Sequence, residues 1–205
     1  MDLDMYPIQS LITPLQLGII GRLRRLWIEV SVWMRDLAIA TIRDPERESA
    51  TAAQLFTGVI NEFYQIFSTY YDPDIAQQVV NLLYRIFTSI WELIRAVKEN
   101  NQEAVNESTR QLYQRANDLS NYLAQINFFW GAEQWQNLLY QYIRLKIVQI
   151  ISIARGDFER ETGLYRELEN IAVLMGNYMA GGFIAGTQMV PQTQNPQTAE
   201  QSNSI

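Results

Sequence analysis

The sequence contains neither cysteine nor histidine. Without cysteine the chain forms no disulfide framework, offers no thiolate nucleophile and cannot hold a cysteine-ligated zinc or iron–sulfur centre. Without histidine it lacks the commonest general base and the commonest metal ligand, which leaves carboxylates, lysine, tyrosine and hydroxyl groups for chemistry at neutral pH. These absences favour a protein that is not an enzyme, and we predict no cofactor.

Positive charge is also scarce, because 16 basic side chains face 22 acidic ones and give a formal charge of −6. Proteins that bind duplex nucleic acid depend on clustered Lys and Arg to release counterions from the phosphates. The acidic balance therefore predicts no nucleic-acid partner. Arg22, Arg24 and Arg25 form a local basic group, which is typical of a solvated helix face.

Long apolar runs are absent as well. The most apolar stretch, 145–154, is interrupted by Lys146, Gln149 and Ser152 and is shorter than the ~20 residues that cross a bilayer. The first four residues are acidic where a secretory signal is basic. We therefore expect no membrane span and no signal peptide, so a location outside the cell or on a spore surface would require a non-classical route of export.

A helical period and an internal repeat dominate what the sequence does contain. Apolar residues recur three and four positions apart along six segments, and no segment alternates as a half-buried strand does. Asn81-Leu82-Leu83-Tyr84 returns 56 positions later as Asn137-Leu138-Leu139-Tyr140. We predict an all-α fold, a six-helix antiparallel bundle built from three repeated helical hairpins of about 56 residues. A compact bundle and a short solenoid both fit this repeat.

Residues that break helices divide the chain into three parts. Asp44 and Asp157 are predicted to cap the second and sixth helices, and Gly181-Gly182 is predicted to stop the sixth. Each hairpin alone has too little apolar surface to bury its own stripe, so the three are expected to close a shared, dry interior. The parts are an N-terminal arm at 1–14, a helical repeat domain at 15–182 and a Gln-rich C-terminal arm at 183–205.

The two arms indicate a function. The N-terminal arm is apolar enough to need a packing partner, whereas residues 187–205 place Gln among Pro, Thr, Asn and Ser and cannot bury enough apolar area to fold alone. We predict a non-enzymatic structural protein that assembles with copies of itself through these arms, into a homo-oligomer such as a filament or a layer on a cell or spore. The predicted assembly residues are Tyr6, Ile8, Leu11, Ile12, Phe183, Ile184, Met189 and Val190.

The alternative function is binding of a metal or another ligand by carboxylates inside the bundle. Glu29 and Glu62 are placed to face inward on the first hairpin, with Tyr64 or Tyr142 nearby. Bundles that hold two metals combine Glu with Glu-x-x-His pairs, and this chain has no histidine to complete one. Solvated or Arg-paired carboxylates are commoner, so we assign no metal ligand and keep this function as the second hypothesis.

Aromatic and amide side chains are predicted to serve packing. Asn117, Asn121 and Asn177 lie beside apolar positions and are predicted to hydrogen-bond between helices and so fix their register. Most of the five tryptophans lie at helical spacing on the apolar stripes, where bulky rings fill gaps between helices. Core packing is therefore favoured over stacking on a ligand. The tryptophans are Trp27, Trp33, Trp91, Trp130 and Trp135.

Four stretches of the chain carry a family resemblance. They are Leu26-Trp27 through Arg35, Ala116-Asn117-Asp118 through Asn127, Glu133-Gln134-Trp135-Gln136 and Asn137-Leu138-Leu139-Tyr140. These stretches resemble a family of small all-helical proteins of spore-forming Gram-positive bacteria, whose members are commonly labelled "acetylglutamate kinase". The resemblance covers roughly residues 20–184 and implies the helical fold.

The resemblance does not imply kinase chemistry or a ligand site for this chain. The Gly-rich run 181–186 lacks the Lys-Ser/Thr of a phosphate-binding loop and follows a helix rather than preceding one. Family members tend to carry a Glu-His or Gln-His step in the first helix of each hairpin, which looks like a repeated metal or haem-type ligand. The matching positions, 56 apart and without histidine, are Glu29-Val30, Arg85-Ile86 and Gln141-Tyr142.

Overall fold

Six helices make up nearly all of residues 13–188, the part of the chain that this computed structural model describes. The first helix, α1, is Pro14–Arg43, and α2 runs without a break through a 3₁₀ turn, Pro45–Arg47, an α-helical segment, Glu48–Ala53, a π-helical segment, Gln54–Val59, and a second α-helical segment, Ile60–Tyr70. Within the described residues there is no strand, so the all-α prediction is confirmed. The other helices are α3 (Pro73–Lys98), α4 (Gln102–Ile126), α5 (Ala132–Arg155) and α6 (Phe158–Gln188).

Local sequence explains how α5 ends and α6 begins. Gly156 adopts a left-handed conformation, with φ 75°, that ends α5. The Asp157 side chain then accepts a hydrogen bond from Arg160 N at 3.1 Å, as predicted for the cap of α6. The cap predicted at Asp44 was wrong: its backbone lies outside the usual capping conformation, and its carboxylate lies 4.0 Å from Arg47 Nε instead.

The prediction that Gly181 and Gly182 stop the sixth helix was also wrong. α6 continues through both glycines, so Phe183 and Ile184, assigned from the sequence to the C-terminal arm, belong to this helix. Gly182 is required for close packing, because a Cβ atom there would overlap the Trp130 indole. A Cβ atom at Gly181 would meet open space. Tertiary packing, rather than helix termination, therefore accounts for Gly182.

The six helices form a closed ring of contacts. Each helix packs against its neighbours in the chain, and α6 packs back along α1. The helices α1, α3 and α5 also contact one another in pairs and so form the centre of the bundle. This closure decides between the two arrangements that fit the repeat: the described chain is a compact bundle rather than an open solenoid.

Neighbouring helices in this ring run antiparallel. Thr41, near the end of α1, donates to the Glu48 carboxylate at the start of α2, whereas Trp27 packs further back on Phe63 further along. Antiparallel neighbours return the chain to the same end of a bundle after every second helix. After six helices, the start of α1 and the end of α6 therefore lie together with the α2–α3 and α4–α5 connections. We call this the terminal end.

The tryptophans pack in the core as predicted. Trp27, Trp130 and Trp135 are buried, and Trp33 and Trp91 are half-buried against the same core. Trp135 lies between two of the others, with ring centroids 6.4 Å from those of both Trp27 and Trp130. The rings fill the space between α1, α5 and the α4–α5 connection, which is the packing role expected of large aromatic side chains.

None of the helices within residues 13–188 combines the length and the apolar character that crossing a membrane demands. Helix α5 illustrates the reason. Lys146, Gln149 and Ser152 interrupt its apolar sequence, and all three side chains are buried inside the bundle rather than exposed on its surface.

Gly182→Ala and Gly181→Ala test the packing of α6. A methyl group at position 182 overlaps the Trp130 indole, and overpacking of this kind costs about 1–3 kcal/mol. At position 181 the space is open, so alanine improves only the helix propensity, by up to about 1 kcal/mol. We expect urea unfolding to show a lower midpoint for the first variant and an equal or higher midpoint for the second. Equal losses of stability would contradict the conclusion that packing against Trp130 sets Gly182 apart from Gly181.

Candidate functional site

A cleft opens at the terminal end, between the end of α2, the end of α6 and the α4–α5 connection. Its volume is 330 Å³, near the lower limit for ligand pockets, which measure about 300–1,000 Å³. Five aromatic rings contribute to its wall, which is mainly apolar. We call it the terminal cleft, and its lining residues are Tyr70, Tyr71, Ile126, Asn127, Phe128, Phe129, Phe183, Gly186 and Thr187.

Phe183 forms the inner wall of the terminal cleft. Its ring centroid lies 4.6 Å from that of Tyr70, 5.1 Å from that of Phe67 and 5.1 Å from that of Trp130. Only 2% of Phe183 is exposed, so its ring is part of the core that supports the cleft. Phe183 reaches this position because α6 continues past Gly182. If the helix ended at Gly182, the cleft would lack its inner wall.

Asn127 joins the three elements around the terminal cleft. Its Nδ2 donates to the Tyr71 hydroxyl at 2.7 Å and to Gly182 O at 3.1 Å, and its Oδ1 accepts from Phe129 N at 2.9 Å. Burial raises the pKa of Tyr71, so the phenol stays neutral and available as a hydrogen-bond partner. These bonds connect α2, α6 and the α4–α5 connection, so the cleft is a preformed feature of the bundle.

Apolar side chains are exposed around the terminal cleft. Phe128 is 93% exposed and Phe129 37% exposed on the α4–α5 connection. Leu15 and Leu17, in the first turns of α1 at the same end of the bundle, are 80% and 56% exposed. Single exposed apolar residues are ordinary, whereas several at one end beside an apolar cleft mark a surface suited to a partner.

Two of the eight assembly residues predicted from the sequence lie within the described part of the chain. Phe183 lines the terminal cleft and is buried, and Ile184 is half-buried on α6. Phe128 and Phe129, in the connection between the fourth and fifth helices, were not among the predicted assembly residues. Two consecutive phenylalanines in a turn were the available signal, since a connection on the surface seldom needs them. The residues outside the described range are Tyr6, Ile8, Leu11, Ile12, Met189 and Val190.

The carboxylates of the second hypothesis are paired with an arginine. Arg25 Nη1 donates to Glu29, and Arg25 Nη2 donates to Glu62 Oε2 at 2.8 Å. Of the tyrosines expected near them, Tyr142 is buried with its hydroxyl 3.4 Å from Ser31 Oγ, and Tyr64 is half-buried against the core. Across residues 13–188, no group of three His, Cys, Asp or Glu side chains is arranged to hold a metal ion.

A polar cluster occupies the interior between α1, α5 and α6, so the prediction of a dry interior was wrong. Lys146 is 1% exposed, and its Nζ donates to Gln149 Oε1 at 2.8 Å and to Ser31 O at 3.2 Å. Gln149 Nε2 donates to Glu161 Oε1 at 3.2 Å. Arg35 completes the cluster with two hydrogen bonds to the Glu161 carboxylate, of 2.6 and 3.0 Å.

The electrostatics of this cluster follow from burial and from the arginine. Burial lowers the pKa of Lys146 to about 7, and the charge of Arg35 acts in the same direction while Glu161 opposes it. Hydrogen bonds from Arg35 lower the pKa of Glu161, so this carboxylate is ionised at neutral pH. The signal in the sequence was the three-residue spacing of Lys146, Gln149 and Ser152, which puts them on one side of α5.

The contacts of this cluster favour a role in fixing the register of the helices over a role in catalysis. Lys146 makes its close hydrogen bonds to protein atoms on α1 and α5, and these bonds hold the amine away from solvent. Two of the three predicted asparagines act similarly: Asn117 Oδ1 accepts from the Tyr140 hydroxyl at 2.6 Å, between α4 and α5, and Asn177 accepts from Arg24, between α6 and α1. Asn121, by contrast, is exposed on α4.

Lys146→Met tests the buried amine through its pH dependence. The unfolded lysine keeps its proton up to about pH 10.5, whereas the folded one loses it near pH 7, so unfolding between these values takes up a proton. Raising the pH across this window therefore stabilises the folded wild type. Relative to Lys146→Met, the free energy of unfolding of the wild type should rise by about 2 kcal/mol between pH 7 and pH 9, measured by urea unfolding.

Lys98→Met is the matched control, because Lys98 is exposed and is the only other lysine of the chain. This variant keeps Lys146 and should follow the pH dependence of the wild type. Parallel curves for the wild type and Lys146→Met would contradict a neutral buried amine.

Comparison with known proteins assigns no function to the terminal cleft or to the polar cluster. The resemblance to the family of spore-forming bacteria stays a prediction, and the three-hairpin repeat stays an interpretation of the sequence. No protein-family model, no curated protein and no solved structure matches the chain.

Proposed function

We propose that this protein is a non-enzymatic structural protein that assembles with copies of itself through its two terminal arms. The supporting observation is that an exposed apolar surface lies at the end of the bundle from which both arms leave. Helix α1 begins there and α6 ends there, beside the terminal cleft and Phe128. The proposed partner is therefore another copy of the chain.

The hydrophobic effect supplies the driving force for this assembly. Burying a large apolar side chain that is exposed in the monomer stabilises a complex by about 1.5–3 kcal/mol. Phe128 and Leu15 are the most exposed large apolar residues described, at 93% and 80%. The arms bring matching apolar side chains to this end, namely Tyr6, Ile8, Leu11 and Ile12 before α1 and Met189 and Val190 after α6.

Net charge opposes the proposed assembly and makes it dependent on salt. Each copy carries a formal charge of −6, so copies repel one another at low ionic strength. Salt at physiological concentration screens exposed charges beyond about 8 Å, whereas the apolar contacts persist. Association should consequently tighten as salt is added, which is the opposite of an assembly held by surface ion pairs.

We also propose that the bundle consists of three copies of one helical hairpin of about 56 residues, namely α1–α2, α3–α4 and α5–α6. Val30, Ile86 and Tyr142 are 56 positions apart and all buried, on the three helices that contact one another at the centre. Superposing the hairpins of an experimental structure tests this repeat. The three residues should coincide, and a consistent displacement of one of them would contradict it.

Assembly into a filament, or into a layer on a cell or spore, needs two separate contacts per copy, because a single two-fold contact closes at a dimer. The two arms differ in composition, so each arm can make one of these two contacts. The N-terminal arm is apolar, whereas the C-terminal arm is rich in Gln, Asn, Thr and Pro. Electron microscopy of the full chain distinguishes closed particles from filaments or sheets.

The metal-binding alternative receives less support from the described residues. Glu29 and Glu62 already share Arg25, which neutralises part of their charge and occupies an oxygen of each carboxylate. The buried amine of Lys146 does not favour an enzyme either, because its hydrogen bonds are made to Gln149 and to Ser31 O inside the bundle.

Phe128→Ser and Phe158→Ser test the proposed assembly surface. Both phenylalanines are exposed, at 93% and 64%, but Phe158 starts α6 at the opposite end of the bundle. Light scattering should find the wild type larger than a monomer, and Phe128→Ser should weaken self-association by about 10- to 100-fold, the equivalent of one buried aromatic side chain. Phe158→Ser should associate like the wild type.

Circular dichroism should show unchanged helicity in both variants, because neither side chain belongs to the core. A wild-type chain that stays monomeric across concentration and salt would refute the proposed function. An equal effect of the two variants would place assembly elsewhere than at the terminal end.

A further inference from the structure

We propose that the terminal cleft binds the N-terminal arm of a second copy, so that two copies meet end to end and exchange arms about a two-fold axis. This inference rests on the proposed function and names the partner segment of the site. Three features of the molecule support it: the composition of the arm, the size of the cleft and the position at which α1 begins.

Composition favours the N-terminal arm over the C-terminal arm. Among residues 1–12, seven are large and apolar, and the acidic residues stand at positions 2 and 4, far from α1. Residues 189–205 contain few apolar side chains among many amides and hydroxyls. Because the wall of the cleft is mainly apolar and aromatic, it offers little to amide side chains. The large apolar residues of this stretch are Met1, Leu3, Met5, Tyr6, Ile8, Leu11 and Ile12.

The size of the terminal cleft suits a short peptide segment. A volume of 330 Å³ admits a few side chains and not a folded element. Exposed Phe128 and Phe129 border it, so a bound segment would cover these rings as well as fill the cleft. Extended peptides that place side chains in preformed pockets are a recurring mode of recognition.

Helix α1 begins level with the terminal cleft. Helices α1 and α6 are antiparallel and in close contact where Gly176 meets the backbone of Arg24. Pro14 is ten residues before Arg24 in α1, and Gly186 is ten residues after Gly176 in α6. Because the two helices are antiparallel, Pro14 is level with Gly186, which lines the cleft. The residue at which α1 begins therefore lies at the same end of the bundle as the cleft.

The chain enters α1 through a well-defined N-terminal cap. Thr13 and Gln16 form a capping box, in which Thr13 Oγ1 accepts from Gln16 N at 3.2 Å and Gln16 Oε1 accepts from Thr13 N at 2.9 Å. Thr13 is extended, with φ −67° and ψ 157°. Leu11 and Ile12 directly precede this cap in the sequence, and none of the described residues that line the cleft belongs to α1.

A second copy that faces the terminal end brings a second cleft within reach of the arm. Twelve extended residues span about 40 Å, enough to cross from one end surface into the cleft of the facing copy. A two-fold axis makes the exchange reciprocal, so both clefts are filled and both arms are used. The exposed side chains of Leu15, Leu17 and Phe128 then lie in the junction between the two copies.

The absence of cysteine allows a direct test with introduced thiols. Ser10→Cys adds a thiol to the arm without removing an apolar side chain, and Thr187→Cys adds one at the cleft. Chains with one substitution each are co-expressed and oxidised mildly. The expected result is a disulfide between the two different chains, formed at least about tenfold more than with Gln114→Cys, an exposed position on α4, in place of Thr187→Cys.

The doubly substituted chain distinguishes exchange from self-occupancy. At high dilution, a disulfide within one Ser10→Cys, Thr187→Cys chain, without linked pairs in the co-expression, would show that the arm folds into its own cleft and would overturn the inference. A link made from Gln192→Cys and not from Ser10→Cys would assign the cleft to the C-terminal arm and would also overturn it.

Light scattering of the same samples separates the two levels of the proposal. If no specific disulfide forms but the samples remain oligomeric, the proposed arm exchange is refuted and the proposed self-assembly is not. Monomers without a disulfide would refute both.

Discussion

The packing of α6 along α1 is the contact on which the rest of the structure depends, because it joins the first and last helices of the ring. Gly176 permits the close approach: a Cβ atom there would lie 2.7 Å from the Arg24 Cα. Arg35 and Glu161 join the same two helices further along. Because a ring of six antiparallel helices returns the chain to its starting end, this contact places the start of α1 beside the end of α6 and creates the terminal end.

The buried polar cluster specifies the register of this closing contact. Burial of Lys146 is unfavourable by itself, and its hydrogen bonds to Gln149 and Ser31 O offset part of the cost. If α5 or α6 slipped by a turn, these donors and the Glu161 carboxylate would be buried without partners, which costs more than the hydrogen bonds contribute when made. The cluster therefore discriminates against misaligned bundles, while the aromatic core supplies most of the apolar burial.

Apart from the cap at Asp44, sequence patterns predicted the features that depend on local chemistry, and they missed those that depend on contacts between distant residues. The six helices follow from apolar spacing, and the junction at Gly156 and Asp157 follows from capping rules. Gly182 was misjudged because its reason is the Trp130 ring, 52 positions away, and not helix propensity. The burial of Lys146 could have been suspected only from its polar neighbours at three-residue spacing, since the charges that surround it come from α1 and α6.

Symmetry limits what the proposed arm exchange can build. A reciprocal two-fold contact uses both terminal clefts and leaves none for a third copy, so by itself it produces a closed dimer. Growth into a filament or layer then depends on a contact of another kind. Residues 189–205 span about 55 Å when extended, whereas a 26-residue helix such as α3 is about 39 Å long. From a junction at the terminal end, the C-terminal arm is long enough to pass the opposite end of its bundle, so the two arms can serve contacts that do not compete.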